Sequence, residues 1–437
     1  MKFYSTRNHQ AKKSFSEAIF QGLAPDGGLY VPEDWINLKS DFLELNHQTT
    51  INEIAELVTY SLMPEELSRK EASDIAQKAF PFAPKIDKVK DQLSILELYH
   101  GPSSAFKDFG ANYLATVMEH FLKGDNRKAI ILTATSGDTG SAVAQAFYEK
   151  DNIEVVILYP SGRVSPLQEK QLTTLGKNIT AIEIEGSFDD CQKMVKEAFV
   201  DEELMKLLPL TSANSINLGR LIPQSFYYIW AFSQLKEQLD EEIYYCVPSG
   251  NFGNLTAGIY AWKWGLPVSG FLAATNANDV VPEYLQKGDY QPRPSIPTYS
   301  NAMDVGNPSN FERLRHVFDD NWNLMRSMIQ GETISDKETL STMKRYYEEK
   351  NRFICPHTAV GVLASENFLA EYLKGSGYVV SLATAHAGKF LEVSQKAIGR
   401  EPELPETLKS LLKKEKQAYS LGNTLADLKT FLKDHFA

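Results

Sequence analysis

The stretch Ile243-Tyr244-Tyr245-Cys246-Val247-Pro248-Ser249-Gly250-Asn251-Phe252-Gly253-Asn254-Leu255 decides how this chain is read. An apolar, β-forming run, Ile243 to Val247, meets a turn of small polar residues, and a helical pattern opens near Leu255. Strand, glycine-containing turn and helix, in that order, form the unit from which parallel sheets are built. Gly250 and Gly253 permit close backbone approach, and Ser249, Asn251 and Asn254 can exchange side-chain hydrogen bonds. With the free N–H groups and positive dipole end of the helix they form a cradle for a phosphate group. The same residues also read as a tight turn before a capped helix. They are not a Walker A loop, since no Gly-Lys-Ser/Thr follows, and not a GxGxxG fingerprint.

Outward from this unit the pattern repeats. Ile95 to Tyr99, Ala129 to Thr133, Glu154 to Tyr159, Ile179 to Glu185, Phe271 to Ala274 and Tyr378 to Ala383 are short apolar runs. Most precede helical segments such as Ser141 to Glu149, Asp189 to Phe199 and Gln224 to Leu235. The alternation predicts an α/β fold with a buried, mostly parallel sheet, whose ligands bind beyond the carboxyl ends of the strands. The first 90 or so residues differ: helical spacing over Ser14 to Gln21, Ile51 to Leu62 and Glu71 to Phe80 predicts a helical leader, ended by Phe80-Pro81-Phe82-Ala83-Pro84. Pro282 to Glu349 carries few sheet signals, and the Lys-rich tail from Pro402 reads as a solvated packing helix.

Composition bounds the function. With 437 residues, 43% hydrophobic and 23% charged, the chain has the make-up of a folded protein of two or three domains. A net charge of −11, without a long basic block, argues against nucleic acid, and requires any phosphate site to be built locally. Cys191, Cys246 and Cys355 form no CxxC pair, which excludes a cysteine-rich zinc site and a disulfide framework and fits a reducing compartment. No metal constellation is visible. No signal peptide or run of about 18 apolar residues occurs, so a cytoplasmic location away from membranes is expected.

Three further junctions resemble the first in position. His100 to Gly110 holds Lys107 between Phe106 and Phe109, where apolar neighbours desolvate an amine and lower its pKa, as a Schiff-base lysine requires. A lysine between aromatic residues equally reads as a snorkelling surface group. Ser136-Gly137-Asp138-Thr139-Gly140 places hydroxyls and N–H groups at a helix start, suited to a carboxylate or to simple N-capping. Thr384-Ala385-His386-Ala387-Gly388-Lys389 offers a neutral hydroxyl and a histidine; His386, like His100 and His357, also reads as a structural residue.

In this order and at these separations the junctions resemble those of the fold-type II pyridoxal-phosphate-dependent enzymes, and more closely the threonine synthase family. The resemblance covers nearly the whole chain. It is carried by Tyr4-Ser5-Thr6-Arg7, Gly22 to Pro32, Gly101 to Asp108, Ala134 to Gly140, and Tyr159-Pro160 with Ser165 to Lys170. Further on it rests on Asn214-Ser215-Ile216-Asn217, Pro248 to Asn254, Gly306 to Leu314 and Ala383 to His386. The leader and Gly306 to Leu314 matter most, because dehydratases and sulfhydrylases of the same fold lack them. Ser103 and Ala387-Gly388 depart from the Gly-Pro-Thr and His-Pro-Ala of many relatives.

The resemblance implies two α/β lobes with open, mostly parallel sheets around pyridoxal phosphate, behind a helical N-terminal domain. The expected divisions are residues 1–92, a body over 93–390 whose smaller lobe covers roughly 110–215, and C-terminal helices over 391–437. Lys107 is implied as the catalytic and cofactor-bonding lysine, Ser249 with Gly250, Asn251, Phe252, Gly253 and Asn254 as the phosphate loop, and Thr384 as the neutral partner of the pyridine nitrogen. Ser136, Gly137, Asp138 and Thr139 match the substrate-carboxylate loop. More distant members carry asparagine where Asp138 stands, leaving Asn214 and Asn217 as candidates for the ring oxygen.

The family reaction converts O-phospho-L-homoserine and water to L-threonine and phosphate. For the substrate phosphate, Arg163 is the first candidate, with Lys170, Arg220 and Ser103 behind it, and His386 can assist proton transfer. Two other readings are a phospho-lyase that releases a 2-oxo acid and a non-catalytic small-ligand-binding protein. A monomer or homodimer is expected.

Overall fold

In the computed structural model, which describes residues 1–123, 127–135 and 137–437, the chain forms three sheets. The leader contributes β1 (Phe3–Ser5), β2 (Asn8–Lys13) and β3 (Tyr30–Pro32), paired antiparallel in the order β2-β1-β3. Around this sheet lie the helices Phe15–Gln21, Ile51–Leu62 and Arg69–Ala79. Each starts at a capping box, Ser14 with Glu17, Thr50 with Glu53 and Ser68 with Glu71, which satisfies two orphan N–H groups apiece. In the second, Ile51, Ile54, Ala55, Val58 and Leu62 form the buried stripe. The expected helical leader thus also carries a small antiparallel sheet.

β4 (Lys85–Lys90) and β5 (Leu93–Glu97) begin the larger lobe, which the chain leaves to build the smaller one from β6 (Ala129–Ala134), β7 (Ile153–Pro160), β8 (Ile179–Ile184) and β9 (Leu210–Thr211). It returns through β10 (Ile243–Pro248), β11 (Gly270–Thr275), β12 (Ile329–Thr333) and β13 (Tyr378–Ala383), giving a sheet ordered β12-β11-β10-β13-β5-β4. Its pairs are parallel except β4 with β5; Cys246 of β10, for example, stands opposite Leu272 of β11 and Ser381 of β13. Finally β14 (Tyr419–Leu421) joins the smaller lobe, whose all-parallel order is β14-β8-β7-β6-β9.

Every residue of β5, β6, β11 and β13 is buried, the continuous apolar signature of strands covered on both faces. The tail is corrected as well. It supplies β14 and the helix Leu425–Phe436, whose Leu428, Phe431 and Leu432 pack with Leu132, Val156 and Ile182 of the smaller lobe.

The topology places the four polar junctions. Three follow β10, β13 and β5, which are consecutive neighbours in the larger sheet and all parallel, so their carboxyl ends share one edge. The fourth follows β6 of the smaller sheet.

Candidate active site

Lys107 is the first residue of the helix Lys107–Leu122. The loop before it is stitched to the segment after β13: Phe106 N donates to the Thr384 carbonyl at 2.8 Å and His386 N to the Ser104 carbonyl at 3.1 Å. Ala105 and Ala385 add an antiparallel bridge. Ser104 is held at φ 58°, a left-handed conformation that a non-glycine residue keeps only where its surroundings enforce it. Burial pushes the Lys107 amine down to about 8; Asp138 pulls it up, and Arg220 and Lys389 push it further down.

The loop after β10 is a backbone cradle. Ser249 N is used by the Ala274 carbonyl, and from Leu255 the helical bonds resume, Leu255 N meeting Asn254 Oδ1 and Thr256 N the Phe252 carbonyl. Between them the N–H groups of Gly250, Asn251, Phe252, Gly253 and Asn254 find no acceptor among the described residues. Phe252, at φ 60°, turns the chain into the helix Gly253–Lys263. At Gly250 a Cβ would lie 2.6 Å from Met303 Cα, so only glycine admits the neighbouring turn Asn301–Met303.

The cradle's polar side chains act as braces. Ser249 Oγ donates to Asn254 Oδ1 at 2.6 Å, and Asn254 Nδ2 to the Pro248 carbonyl at 2.9 Å. Asn251 Nδ2 donates to Ser215 Oγ at 2.7 Å, while Asn251 Oδ1 accepts from Ser309 N at 2.6 Å. Behind them the fully buried Arg313 donates to the carbonyls of Tyr30, Ser215 and Ile216 and to Asn310 Oδ1. Glu312 receives a two-pronged bond from Arg7, at 3.1 and 2.9 Å, and one from Thr6 at 2.5 Å. The leader and the Gly306 to Leu314 segment therefore meet each other and the back of the cradle.

At the fourth junction Thr135 Oγ1 accepts from Gly137 N at 2.9 Å and Gly140 N at 2.8 Å, tying the turn into a knot. Ser136 lies outside the described residues. The N–H groups of Asp138 and Thr139, which open the helix Asp138–Phe147, have no acceptor among the described residues and suit an anion. The Asp138 carboxylate does not serve that purpose. It pairs with Lys389 Nζ at 2.7 Å and accepts from Gln168 Nε2 at 3.0 Å. Burial alone would raise it, but the Lys389 and Lys107 charges outweigh this and hold it well below the usual carboxylate range.

The remaining candidates divide. Thr384 is nearly buried, its carbonyl taken by Phe106 and its hydroxyl free of protein partners among the described residues. Ser103 is buried with an unpartnered Oγ. His386 Nδ1 accepts from Gly388 N at 3.0 Å, which leaves Nε2 as its open atom. Asn214 Oδ1 accepts from Thr133 Oγ1. Asn217 is corrected to a structural residue: it caps Gly219 N and donates to the carbonyls of Ile19 and Ser212, committing both ends of its amide. Lys170 is turned to the Lys414 carbonyl, and Arg220 is buried with one N–H on Ala213 and Nε unpartnered.

Arg163 is exposed on the turn beyond β7, beside the turn after β6, with its charge acting on Asp190. His100 Nε2 bonds Glu97 at 2.9 Å, and the buried His357 accepts from Ala302 N at 3.1 Å, supporting the turn against Gly250. Sequence reasoning missed Lys389, Gln168 and Arg313. The signal for Lys389 was present, since Lys389-Phe390 repeats the lysine-beside-phenylalanine pattern that singled out Lys107.

An amide cradle suited to a phosphate, a half-buried amine of lowered pKa and an uncharged hydroxyl near it fit pyridoxal phosphate, which defines the class as a fold-type II pyridoxal-phosphate-dependent enzyme. The pyridoxal-phosphate dependent enzyme family matches residues 83–385, the threonine synthase N terminus residues 2–80, and the threonine synthase C-terminal family residues 358–432. The threonine synthase of Haemophilus influenzae is 41% identical over 436 residues, covering 99% of both chains. The crystal structure of threonine synthase from Escherichia coli superposes with a TM-score of 0.91 at 38% identity, covering 100% of both chains. A pyridoxal-phosphate-bound threonine synthase from Brucella melitensis gives 0.91 at 33% identity, covering 100% of this chain and 99% of that one. The chain belongs to the threonine synthase family of pyridoxal-phosphate-dependent lyases. Among the described residues no helix is long and apolar enough to cross a membrane.

Proposed function

We propose that the substrate is O-phospho-L-homoserine, converted with water to L-threonine and phosphate, and that Lys107 performs most of the proton transfers. The observation that carries this reading is the Lys107 amine, lowered to about 8 and set beside Thr384 by the Phe106 and His386 backbone bonds. Pyridoxal phosphate, held by Lys107, the N–H groups of residues 250–254 and the Thr384 hydroxyl, supplies an electron sink for negative charge developing beside the substrate nitrogen.

The substrate carboxylate docks on the N–H groups of Asp138 and Thr139 at the positive end of their helix. That fixes the α-carbon near Lys107, whose neutral amine takes the α-proton, hands it on to become neutral again, and then takes a β-proton, so that phosphate leaves from the γ-carbon with the electron pair of the C–O bond. Water then adds at the β-carbon while Lys107 returns protons to the substrate. A flexible amine whose pKa lies near working pH serves repeated acceptance and donation better than a fixed carboxylate. His386, through Nε2, and the departing phosphate assist. Arg163, on the turn next to the carboxylate loop, is the proposed cation for the substrate phosphate, with Ser103 Oγ behind it.

The domain divisions 1–92, 93–390 and 391–437 and a cytoplasmic monomer or homodimer without nucleic-acid partners complete the proposal. Three buried free cysteines and the net charge of −11 support the location and the absence of nucleic acid. Product analysis tests the reaction: purified protein with pyridoxal phosphate and O-phosphohomoserine yields threonine and phosphate in equal amounts. Stoichiometric 2-oxobutyrate without threonine overturns the assignment.

A further inference from the structure

Lys389 ends the short turn Ala387–Lys389 that follows Thr384, and its side chain is 0% exposed. Its Nζ reaches Asp138 Oδ1 at 2.7 Å in the smaller lobe and the Ser103 carbonyl at 3.0 Å in the loop that presents Lys107. One ammonium therefore fastens three separate segments: the chain after β13, the start of the helix Asp138–Phe147, and the loop Ser103 to Phe106. The neighbours are built around it. Gln168 Nε2 shares Asp138 Oδ1, and Gln171 Nε2, one turn on in the helix Pro166–Thr173, shares the Ser103 carbonyl at 3.1 Å. Ser103 N in turn donates to Asp108 Oδ2 at 2.9 Å, next in sequence to Lys107.

A buried lysine inside an active site is costly unless something fixes its charge, and removing one partner of such a pair leaves the other uncompensated. The charged groups acting on Lys107 are Asp138, Arg220 and Lys389. Those on which Lys389 acts are Asp138, Asp108, Lys107, His357 and His386. Asp138 is the anion common to both lysines. The ion pair at 2.7 Å gives it to Lys389.

We infer that Lys389 is a positioning residue for proton transfer by Lys107: it occupies the Asp138 carboxylate and anchors the Ser103 loop, so that the Lys107 amine forms no ion pair among the described residues and is free to shuttle protons. The inference rests on Lys107 being the reacting amine. It assigns opposite jobs to the two lysines, one held in an ion pair and stationary, the other left able to lose its proton and move.

The test compares K389M, D138N, K389R and the double variant K389M/D138N, each supplied with pyridoxal phosphate. Two pH titrations are recorded, the visible absorbance of the bound cofactor and kcat at saturating O-phosphohomoserine. In K389M, Asp138 turns to the active-site nitrogen, and both midpoints rise by about one pH unit or more. In D138N the surplus positive charge moves them down, and in the double variant they return to within a few tenths of the unaltered protein. K389R retains the charge and keeps the midpoint nearer the original than K389M does. If K389M does not fold, the downward shift in D138N and its reversal in the double variant decide the matter. Loss of kcat with unmoved midpoints in every variant makes Lys389 a mere structural latch and overturns the inference. An unaltered protein that takes up no colour and makes no threonine overturns the proposed function instead.

Discussion

The two ends of the active site are built on opposite principles. The cradle at Ser249–Asn254 carries no charged side chain: it offers five backbone N–H groups, and its asparagines and serine are tied up in braces. The end around Lys107 holds Lys107, Asp108, Asp138, Arg220 and Lys389 within a few residues of the chemistry, most of them buried. Backbone dipoles hold a permanent anion at any pH without competing for protons. A site that must move protons needs groups whose charge can change, and burial with unequal partners drives their pKa values apart. In this way an acidic protein accommodates phosphate at one end and reserves its charges for the other.

The comparison can be broken at either end. The largest effect is expected for Lys107→Ala: turnover falls by about 10³-fold or more, and the protein loses the visible absorbance of bound cofactor. Next comes Arg313→Met, which orphans the carbonyls of Tyr30, Ser215 and Ile216 and the Asn310 side chain. It should remove about 3 kcal/mol of stability, read as a lower thermal midpoint and weaker cofactor retention. Arg313→Lys restores little, because a lysine lacks the fork of donors.

Gly250→Ala forces a Cβ against Met303 Cα, for a loss of about 2 kcal/mol in cofactor affinity, roughly 30-fold by fluorescence titration. That loss should be flat in pH, as befits the neutral end.

The charged end should behave otherwise. The Lys107 pKa is lowered, so the neutral amine accumulates as pH rises through about 8, and its modification by an amine reagent in cofactor-free protein should rise about tenfold between pH 7 and pH 9. A midpoint near that of an ordinary lysine would remove the basis for Lys107 as a base. The smallest effect belongs to Arg163→Ala. An exposed cation contributes about 1 kcal/mol or less, so KM for the phosphorylated substrate rises up to about fivefold while kcat holds.

What the sequence disclosed follows the same division. The buried strands β5, β6, β7, β8, β10, β11 and β13 were legible because both faces are apolar, which leaves continuous runs such as Ala129 to Thr133. In the two lobes the strands it hid, β4, β9, β12 and β14, are the edges of their sheets, where one side is unpaired and residues such as Lys85, Lys88 and Lys90 blur the pattern. At the proposed site, local chemistry and turn position drew attention to Lys107, Thr384 and the glycine-rich loop, and the resemblance supplied their proposed roles. The roles of Lys389 and Arg313 were not legible, since each has a partner far off in sequence: Ser103 is 286 residues from Lys389, and Tyr30 is 283 from Arg313. Asn217 misled for the same reason, its partner Ile19 being 198 residues distant.

The strand β14 adds a point about assembly. Tyr419 to Leu421 pairs in parallel with Ile182 to Ile184, and Leu428, Phe431 and Leu432 seal the apolar underside of the smaller lobe. That lobe is otherwise made from residues synthesised more than two hundred positions earlier. During synthesis its β8 edge and the apolar surface beneath it stay open until residues 419–432 have left the ribosome, a window in which the nascent chain is exposed to strand-to-strand aggregation. Shortening the chain before Tyr419 would make that window permanent and cost the cell soluble protein, although every residue assigned to the chemistry is still in place.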